Sequence, residues 1–128
     1  MRALARGDRV AVVSCSGPFE REAFDRGVAW CRERVHLNDD PRWYGREGYL
    51  AGRDEQRAAA LIEALEDPDV RAVIAARGGY GAMRVLERVG SRALAALARD
   101  PKPVVGFSDV TALHAAWAKA GVRSLHAS

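Results

Sequence analysis

Ser108 lies in a turn whose sequence is typical of a serine nucleophile. In the run Lys102–Trp117, "KPVVGFSDVTALHAAW", an apolar strand leads into a tight turn and a helix follows. A hydroxyl on such a turn can attack a carbonyl carbon, and the next N–H, that of Asp109, can donate to the oxyanion. Serine is also a good N-cap for a helix that begins near Val110. The residues alone favour the cap somewhat, because "GFSDV" lacks the final glycine of the G-x-S-x-G elbow.

The glycine-rich run "RGGYGAM" is a second candidate for chemistry. Glycine adopts positive φ without strain and leaves room for an anion to approach backbone N–H groups, so Gly78 and Gly79 are predicted to bind a phosphate, a carboxylate or an oxyanion. The run is neither G-x-G-x-x-G nor a Walker loop. A tight turn without a ligand is an equally good interpretation. Beside these glycines, four residues are predicted to contact a substrate: Ser16, Gly17, Arg77 and Tyr80.

A serine nucleophile needs a base, and the chain has three histidines, His36, His114 and His126. His114 lies six residues after Ser108 on the same predicted helix, which turns it away from the hydroxyl. The other two lie at strand positions with no predictable relation to the turn. Each histidine is therefore expected to be structural or exposed. Asp109 could cap the helix or orient a partner, and capping is the favoured role.

The two cysteines are too far apart for a C-x-x-C motif, so two free thiols are expected. Cys31 shares a helical face with apolar residues and is predicted to lie in the core. Cys15 falls in a loop beside the candidate site. A reactive thiol there is the less favoured interpretation.

Apolar patterns predict alternating strands and helices. Strands are predicted at Arg9–Ser14, Val35–Asn38, Val70–Ala76 and Val104–Phe107, with a fifth in "VRSLHAS". Helices are predicted at Arg21–Arg34, Arg53–Glu66, Ala82–Val89, Ser91–Ala98 and Val110–Lys119. The alternation predicts an α/β fold, an open and mainly parallel sheet with helices on both faces in a Rossmann-like or flavodoxin-like three-layer arrangement. Ligands bind beyond the carboxyl ends of such strands, where the candidate residues converge.

Composition restricts the classes of partner and the location expected for this chain. The chain has 128 residues, enough for one domain, and its formal net charge of +3 comes from scattered arginines, which does not favour nucleic acid. No apolar run is long enough for a membrane span and no signal peptide is recognisable, so a cytoplasmic location is expected. The aromatics of "DDPRWYGREGYLAG", Trp43, Tyr44 and Tyr49, are predicted either to line a binding surface or to cover an edge of the core.

Four motifs in this order resemble one family: "GDRVAVVSCSGPFERE", "GYLAGRDEQRAAAL", "ALEDPDVRAVIAARGGYGAMRVL" and "KPVVGFSDVTALH". The chain resembles the N-terminal part of the LD-carboxypeptidases, which include muramoyltetrapeptide carboxypeptidase and the microcin C immunity peptidases. The resemblance implies that Ser108 is the nucleophile, and that backbone N–H groups of Asp109 and of Gly78 or Gly79 form the oxyanion hole. It also implies cytoplasmic removal of D-alanine from peptidoglycan tetrapeptides in murein recycling, by a homodimer without metal or cofactor.

One departure from the family bears on activity. The resemblance implies a glutamate and a histidine from a C-terminal domain, whereas this sequence ends at Ser128 with "LHAS" in place of a His-Gly-Pro stretch. Residues 1–128 are therefore expected to form the nucleophile-bearing domain alone and to be inactive or nearly so. The alternatives are part of a microcin-type immunity peptidase, or a stand-alone module that binds a muropeptide or an anionic ligand.

Overall fold

Five short strands form one parallel sheet in the computed structural model, which describes residues 3–128. The strands are β1 (Arg9–Val13), β2 (His36–Leu37), β3 (Val70–Ala75), β4 (Val104–Gly106) and β5 (Leu125–His126). Their order across the sheet is β2-β1-β3-β4-β5, and all four pairings are parallel. This is the flavodoxin-like order, so the predicted α/β class and parallel sheet are confirmed.

Four helices connect the strands: α1 (Arg21–Arg32), α2 (Asp54–Glu66), α3 (Ala82–Arg99) and α4 (Thr111–Lys119). Right-handed crossovers place α1 on one face and the other three on the opposite face, because the chain reverses its direction across the sheet after β2. The larger core accordingly joins the strands to α2, α3 and α4, and a smaller cluster joins α1 to the other face. The switch point lies between β1 and β3.

The central strand β1 is buried on both faces. Val10, Ala11, Val12 and Val13 are all at most 5% exposed, as the continuous apolar run predicts. Its alternate side chains enter different clusters: Val13 packs in the larger core and Val12 packs against α1. Because the candidate loops follow β1, β3 and β4, this rigid centre of the sheet sets their spacing.

The prediction of two helical segments, Ala82–Val89 and Ser91–Ala98, is wrong: α3 is one helix of 18 residues. Gly90 lies within it and is tolerated because the buried face is continuous on both sides, with Val85 and Ala93 at most 1% exposed. Burial of that face outweighs the cost of one glycine in the helix interior, about 1 kcal/mol.

The aromatic loop between β2 and α2 covers a core edge. Trp43 is 3% exposed, and its indole Nε1 donates to the carbonyl oxygen of Val12 at 2.7 Å. Tyr44 packs edge-on against Phe24 of α1. The core-covering interpretation is therefore confirmed for these two aromatics, whereas Tyr49 is 65% exposed beside the glycine loop.

The buried Lys102 was not anticipated by the sequence pattern. Its Nζ donates to the carbonyl oxygens of Leu65, at 2.8 Å, and of Asp67, so it closes the carboxyl end of α2. Its own carbonyl oxygen accepts from the indole of Trp117 at 2.7 Å. One lysine thus ties α2 and α4 to the start of β4.

The face of the sheet that carries α1 is only partly covered. An apolar groove of about 420 Å³ runs between α1 and the strands β3 and β4, reaching the last residues of the chain. We call it the α1-side groove; its walls include Phe24, Val28, Cys31, Ile74, Val105 and Phe107. Helices are thus present on both faces, as predicted, but in a ratio of one to three. None of the helices within residues 3–128 has an apolar stretch long enough to cross a membrane.

Candidate functional site

Three loops meet at the carboxyl edge of the sheet: Ser14–Pro18 after β1, Arg77–Gly81 after β3, and Phe107–Asp109 after β4. The first two flank the switch point of the sheet, where open α/β folds bind their ligands. A backbone hydrogen bond joins these two loops directly: the N–H of Gly17 donates to the carbonyl oxygen of Gly78 at 3.0 Å. The convergence expected from the sequence is therefore present.

Ser108 has a φ of 59°. Among residues 3–128 it is the only residue other than glycine whose φ is positive. It opens a short 3₁₀ turn, Ser108–Val110, that leads into α4. Its hydroxyl has no hydrogen-bond partner in residues 3–128, and neither helical start carries a side-chain cap bond. The N-cap interpretation is therefore wrong. A strained, exposed serine with a free hydroxyl matches the nucleophile geometry instead.

The glycine loop packs backbone against backbone, which explains why glycine is needed. A Cβ on Gly78 would lie 2.9 Å from the Cβ of Ser108 and 3.2 Å from its Oγ. A Cβ on Gly79, whose φ is 115°, would lie 3.0 Å from the Cα of Gly17. In the described part of the chain the N–H groups of Gly78 and Gly79 have no acceptor, so this loop, which packs against Ser108 at Gly78, has two backbone donors for an anion.

We expect Gly78→Ala to lower the free energy of unfolding by about 1–3 kcal/mol, because the added methyl must displace Ser108 or the glycine loop. Gly90→Ala is the matched control: nothing lies within 4 Å of its Cβ position, so it should stabilise α3 by about 0.5–1 kcal/mol. Urea unfolding followed by circular dichroism measures both. Equal effects of the two substitutions would contradict the close contact at Gly78.

Asp109 connects all three loops through its side chain. Its Oδ2 accepts from the hydroxyl of Ser16 at 2.6 Å and from the N–H of Ala82 at 2.9 Å. The carboxylate therefore caps α3, the helix that follows the glycine loop, and not its own helix α4 as expected. The Asp109 N–H is the second in the 3₁₀ turn, where helical geometry supplies no acceptor, so it can donate to a ligand.

The four predicted substrate-binding residues fall into two pairs. Ser16 and Gly17 are buried, and the Ser16 hydroxyl is already engaged by Asp109, so this pair supports the crevice from beneath. Arg77 and Tyr80 are exposed at the rim. The Arg77 guanidinium donates to the carbonyl oxygen of Pro18, and the Tyr80 ring lies edge-on to Tyr49 with centroids 5.6 Å apart.

None of the three histidines is bonded to Ser108 in the described residues. His36 pairs with Arg9 at the amino end of β1, the opposite edge of the sheet. His114 Nε2 lies 2.8 Å from the carbonyl oxygen of Gly106, and its ring is tilted against that of His126. His36 and His126 are exposed. The expected exposure is seen at His36 and His126, whereas His114 is bonded within the fold and its Nδ1 is buried without a partner in the described residues.

The cysteines differ in their surroundings, and both thiols are free. Cys15 is fully buried, and desolvation raises the pKa of its thiol to about 12, with Asp109 adding to the shift and Arg57 opposing it. It is therefore a protonated, unreactive thiol, as favoured by the sequence. Cys31 is half-buried on the α1-side groove, so the prediction that it lies in the core holds only in part.

Arg57 is a site component that the sequence analysis missed. It is 2% exposed, and its guanidinium donates to the carbonyl oxygens of Cys15 at 2.6 Å, Gly81 at 2.9 Å and Gly52 at 3.1 Å. It also pairs with Asp54, whose pKa is held below its ordinary value by a hydrogen bond from Arg84 and by charges of neighbouring arginines. The available signal was its position four residues before the core residue Leu61, on the buried face of α2.

A parallel α/β sheet with a strained serine turn packed against a glycine loop is an arrangement typical of serine hydrolases. The described residues contain no group of three or more histidine, cysteine, aspartate or glutamate side chains placed to hold a metal ion. Comparison with known families is consistent with that class: the family of the LD-carboxypeptidase N-terminal domain matches residues 10–127. The chain belongs to this family.

Individual relatives carry related names. The chain is 44% identical to a Streptomyces coelicolor protein named as a carboxypeptidase, over 96% of this chain and 41% of that protein. It is 40% identical to the murein tetrapeptide carboxypeptidase of Pseudomonas aeruginosa, over 61% of this chain and 25% of that protein. The chain thus spans well under half the length of these relatives.

Solved structures show the same fold. MccF in complex with glutamyl sulfamoyl guanosine is similar with a TM-score of 0.84 and 28% identity, over 94% of this chain and 37% of that chain. The muramoyltetrapeptide carboxypeptidase of Oxalobacter formigenes is similar with a TM-score of 0.74 and 31% identity, over 91% of this chain and 38% of that chain. Both are proteins that this chain resembles over its own length.

Proposed function

We propose that this chain is the nucleophile-bearing part of a serine-type carboxypeptidase that removes the terminal D-alanine from peptidoglycan tetrapeptides. Membership of the LD-carboxypeptidase family and the names of the relatives support this reaction class. The observation that carries the proposal is the geometry of Ser108. It has a φ of 59° and an unbonded hydroxyl, and it packs against Gly78, in a loop where the N–H groups of Gly78 and Gly79 have no acceptor within residues 3–128.

The proposed reaction begins with attack of the Ser108 Oγ on the carbonyl carbon of the bond to D-alanine. The carbonyl oxygen becomes an oxyanion, to which the N–H groups of Asp109, Gly78 and Gly79 donate. A base takes the hydroxyl proton and returns it to the amine of D-alanine as the C–N bond breaks. Water then hydrolyses the ester on Ser108, which releases the shortened peptide and restores the hydroxyl.

The base in this proposal comes from outside the described residues. We place the glutamate and histidine of the triad in a C-terminal domain, so that residues 1–128 form the nucleophile-bearing domain. Two findings support this division. Relatives are more than twice as long as the chain, which spans 41% and 40% of two of them. The α1-side groove also leaves apolar surface that another part of a protein would cover.

Substrate contacts are assigned to the exposed rim. Arg77 offers a cation to the terminal carboxylate of the peptide, and Tyr80 offers an aromatic surface to its backbone. Ser16 and Gly17 contribute from beneath, through the bonds that hold the loops. The proposal includes the cytoplasmic location, the role in murein recycling and the homodimer that the family resemblance implies.

A second candidate substrate is an aminoacyl sulfamoyl nucleotide. Two MccF structures contain such compounds, glutamyl sulfamoyl guanosine and aspartyl sulfamoyl adenosine. Each of these structures is similar to this chain with a TM-score of 0.84. The exposed ring pair of Tyr49 and Tyr80 at the rim is suited to stacking on a base. The peptidoglycan peptide is preferred because relatives with higher identity are named for murein peptides.

The test is an assay of the complete protein on both substrate types. We expect release of D-alanine from a muramoyl tetrapeptide, no release from the analogue ending in L-alanine, and slower cleavage of glutamyl sulfamoyl adenosine. D-alanine is measured with a coupled D-amino-acid oxidase, and L-alanine from the analogue is measured with a coupled alanine dehydrogenase. Cleavage of the nucleotide alone would move the assignment to the second candidate, and binding without cleavage of either would overturn the hydrolase proposal.

A further inference from the structure

The junction between the β1 loop and the glycine loop is held by two opposite charges. On one side the Asp109 carboxylate accepts from the Ser16 hydroxyl at 2.6 Å and from the Ala82 N–H at 2.9 Å. Both bonds use the same oxygen, Oδ2. The Ser16 donor belongs to the loop after β1, and the Ala82 donor is the first residue of α3. A single carboxylate therefore fixes the distance between two loops from different strands.

On the other side, the Arg57 guanidinium holds the neighbours of those two residues. Its Nη1 donates to the carbonyl oxygens of Cys15, at 2.6 Å, and of Gly81, at 2.9 Å. Cys15 precedes Ser16 in the chain and Gly81 precedes Ala82, so an anion gathers the donors of the junction and a cation gathers its acceptors. Buried hydrogen bonds to charged groups are stronger than neutral ones, which makes the junction rigid.

Asp109 also follows Ser108 directly, so the same carboxylate anchors the strained turn. A residue at positive φ keeps that conformation only when its surroundings determine it. Two restraints are present: the packing of Gly78 against Ser108 and the side-chain bonds of Asp109. Ser108 itself contributes no side-chain hydrogen bond within residues 3–128.

We propose that the Asp109 carboxylate is a positioning group for hydrolysis: through Ser16 and Ala82 it sets the Ser108 hydroxyl and the Asp109 N–H against the N–H groups of the glycine loop. This inference rests on the proposed function. It assigns the Asp109 side chain a role separate from that of its backbone N–H, and it gives the buried Ser16 a role without substrate contact. Misplacing a reacting group by about 1 Å costs about 100-fold in rate.

The test uses the complete protein and three variants of the junction, Asp109→Ala, Asp109→Asn and Ser16→Ala. We expect Asp109→Ala to lower kcat about 100-fold with KM changed less than about threefold, because the substrate contacts remain. Asp109→Asn keeps an oxygen that can accept both bonds and should recover most of the loss, remaining within about tenfold of the wild type. Ser16→Ala removes one of the two bonds and should fall between them.

A matched control and a second readout separate positioning from folding. Asp39→Asn removes a carboxylate whose side chain is 90% exposed, and it should leave kcat unchanged. Amide hydrogen exchange at residues 78–82 and 108–110 should be faster in Asp109→Ala and unchanged in Asp39→Asn, with similar thermal midpoints for Asp109→Asn and wild type. The exchange readout needs no substrate.

The outcomes are distinct. A wild-type protein that cleaves no substrate overturns the proposed function. The amide hydrogen exchange data still decide whether Asp109 holds the loops. An active wild type with kcat of Asp109→Ala within about threefold overturns the positioning role. So does a loss in Asp109→Asn as large as in Asp109→Ala, since the amide would then have failed to rescue the geometry. A rise in KM with kcat unchanged would assign Asp109 to substrate binding instead.

Discussion

Ser108→Ala in the complete protein is expected to lower kcat for D-alanine release by at least about 10⁵-fold, with KM changed little. In the proposed reaction the substitution removes the atom that forms the covalent bond, whereas the rim residues and the glycine N–H groups assigned to substrate contact remain. Steady-state kinetics on the muramoyl tetrapeptide measures the effect, and Ser91→Ala, an exposed serine of α3, is the control. Residual activity above about 1% of wild type would show that Ser108 is not the nucleophile.

Stability gives an independent reading of the same position. Alanine at φ 59° retains the strain of a left-handed conformation, whereas glycine relieves it. Ser108→Gly should therefore be as inactive as Ser108→Ala but more stable, by about 1 kcal/mol in urea unfolding. If glycine brought no stabilisation over alanine, the turn would not be strained as described.

The 128-residue chain by itself is expected to release D-alanine at least about 10⁴-fold more slowly than the complete protein at equal concentration. The reason is that no base is bonded to Ser108 in residues 3–128, so only binding and oxyanion stabilisation remain. Ser108→Ala in the same chain is the control for background hydrolysis. Ser108-dependent turnover near that of the complete protein would place the base within these residues and refute the two-domain proposal.

The same preparation distinguishes an enzyme part from a stand-alone binding module. The α1-side groove exposes apolar side chains, so a chain that lacks its covering domain should self-associate in sedimentation experiments. A well-behaved monomer that binds the tetrapeptide equally well with Ser108 or alanine would favour the module. Mass spectrometry of the protein isolated from its source cells then gives the length of the natural chain directly.

Much of the fold was predictable because its signals are local. The continuous apolar run of β1, the helical spacing of α1 and α2, and the glycines and prolines between elements identified the α/β class and most boundaries to within two residues. The exceptions have physical causes. Gly90 did not interrupt α3 because both flanking turns bury apolar faces. The unequal cover of the sheet follows from right-handed crossovers combined with a strand order that reverses after β2, and the residue pattern does not encode that order.

The sequence by itself determined which residues could do chemistry: a serine after an apolar strand, glycines after another, and their common place at the carboxyl edge of a parallel sheet. Only the tertiary structure excluded the cap at Ser108 and revealed its positive φ and unbonded hydroxyl, because both features depend on the neighbouring chain. It also revealed that Asp109 caps α3 and that Arg57 is buried under the site. Those contacts join residues 27 and 42 positions apart, and a single sequence carries no record of such distant pairings.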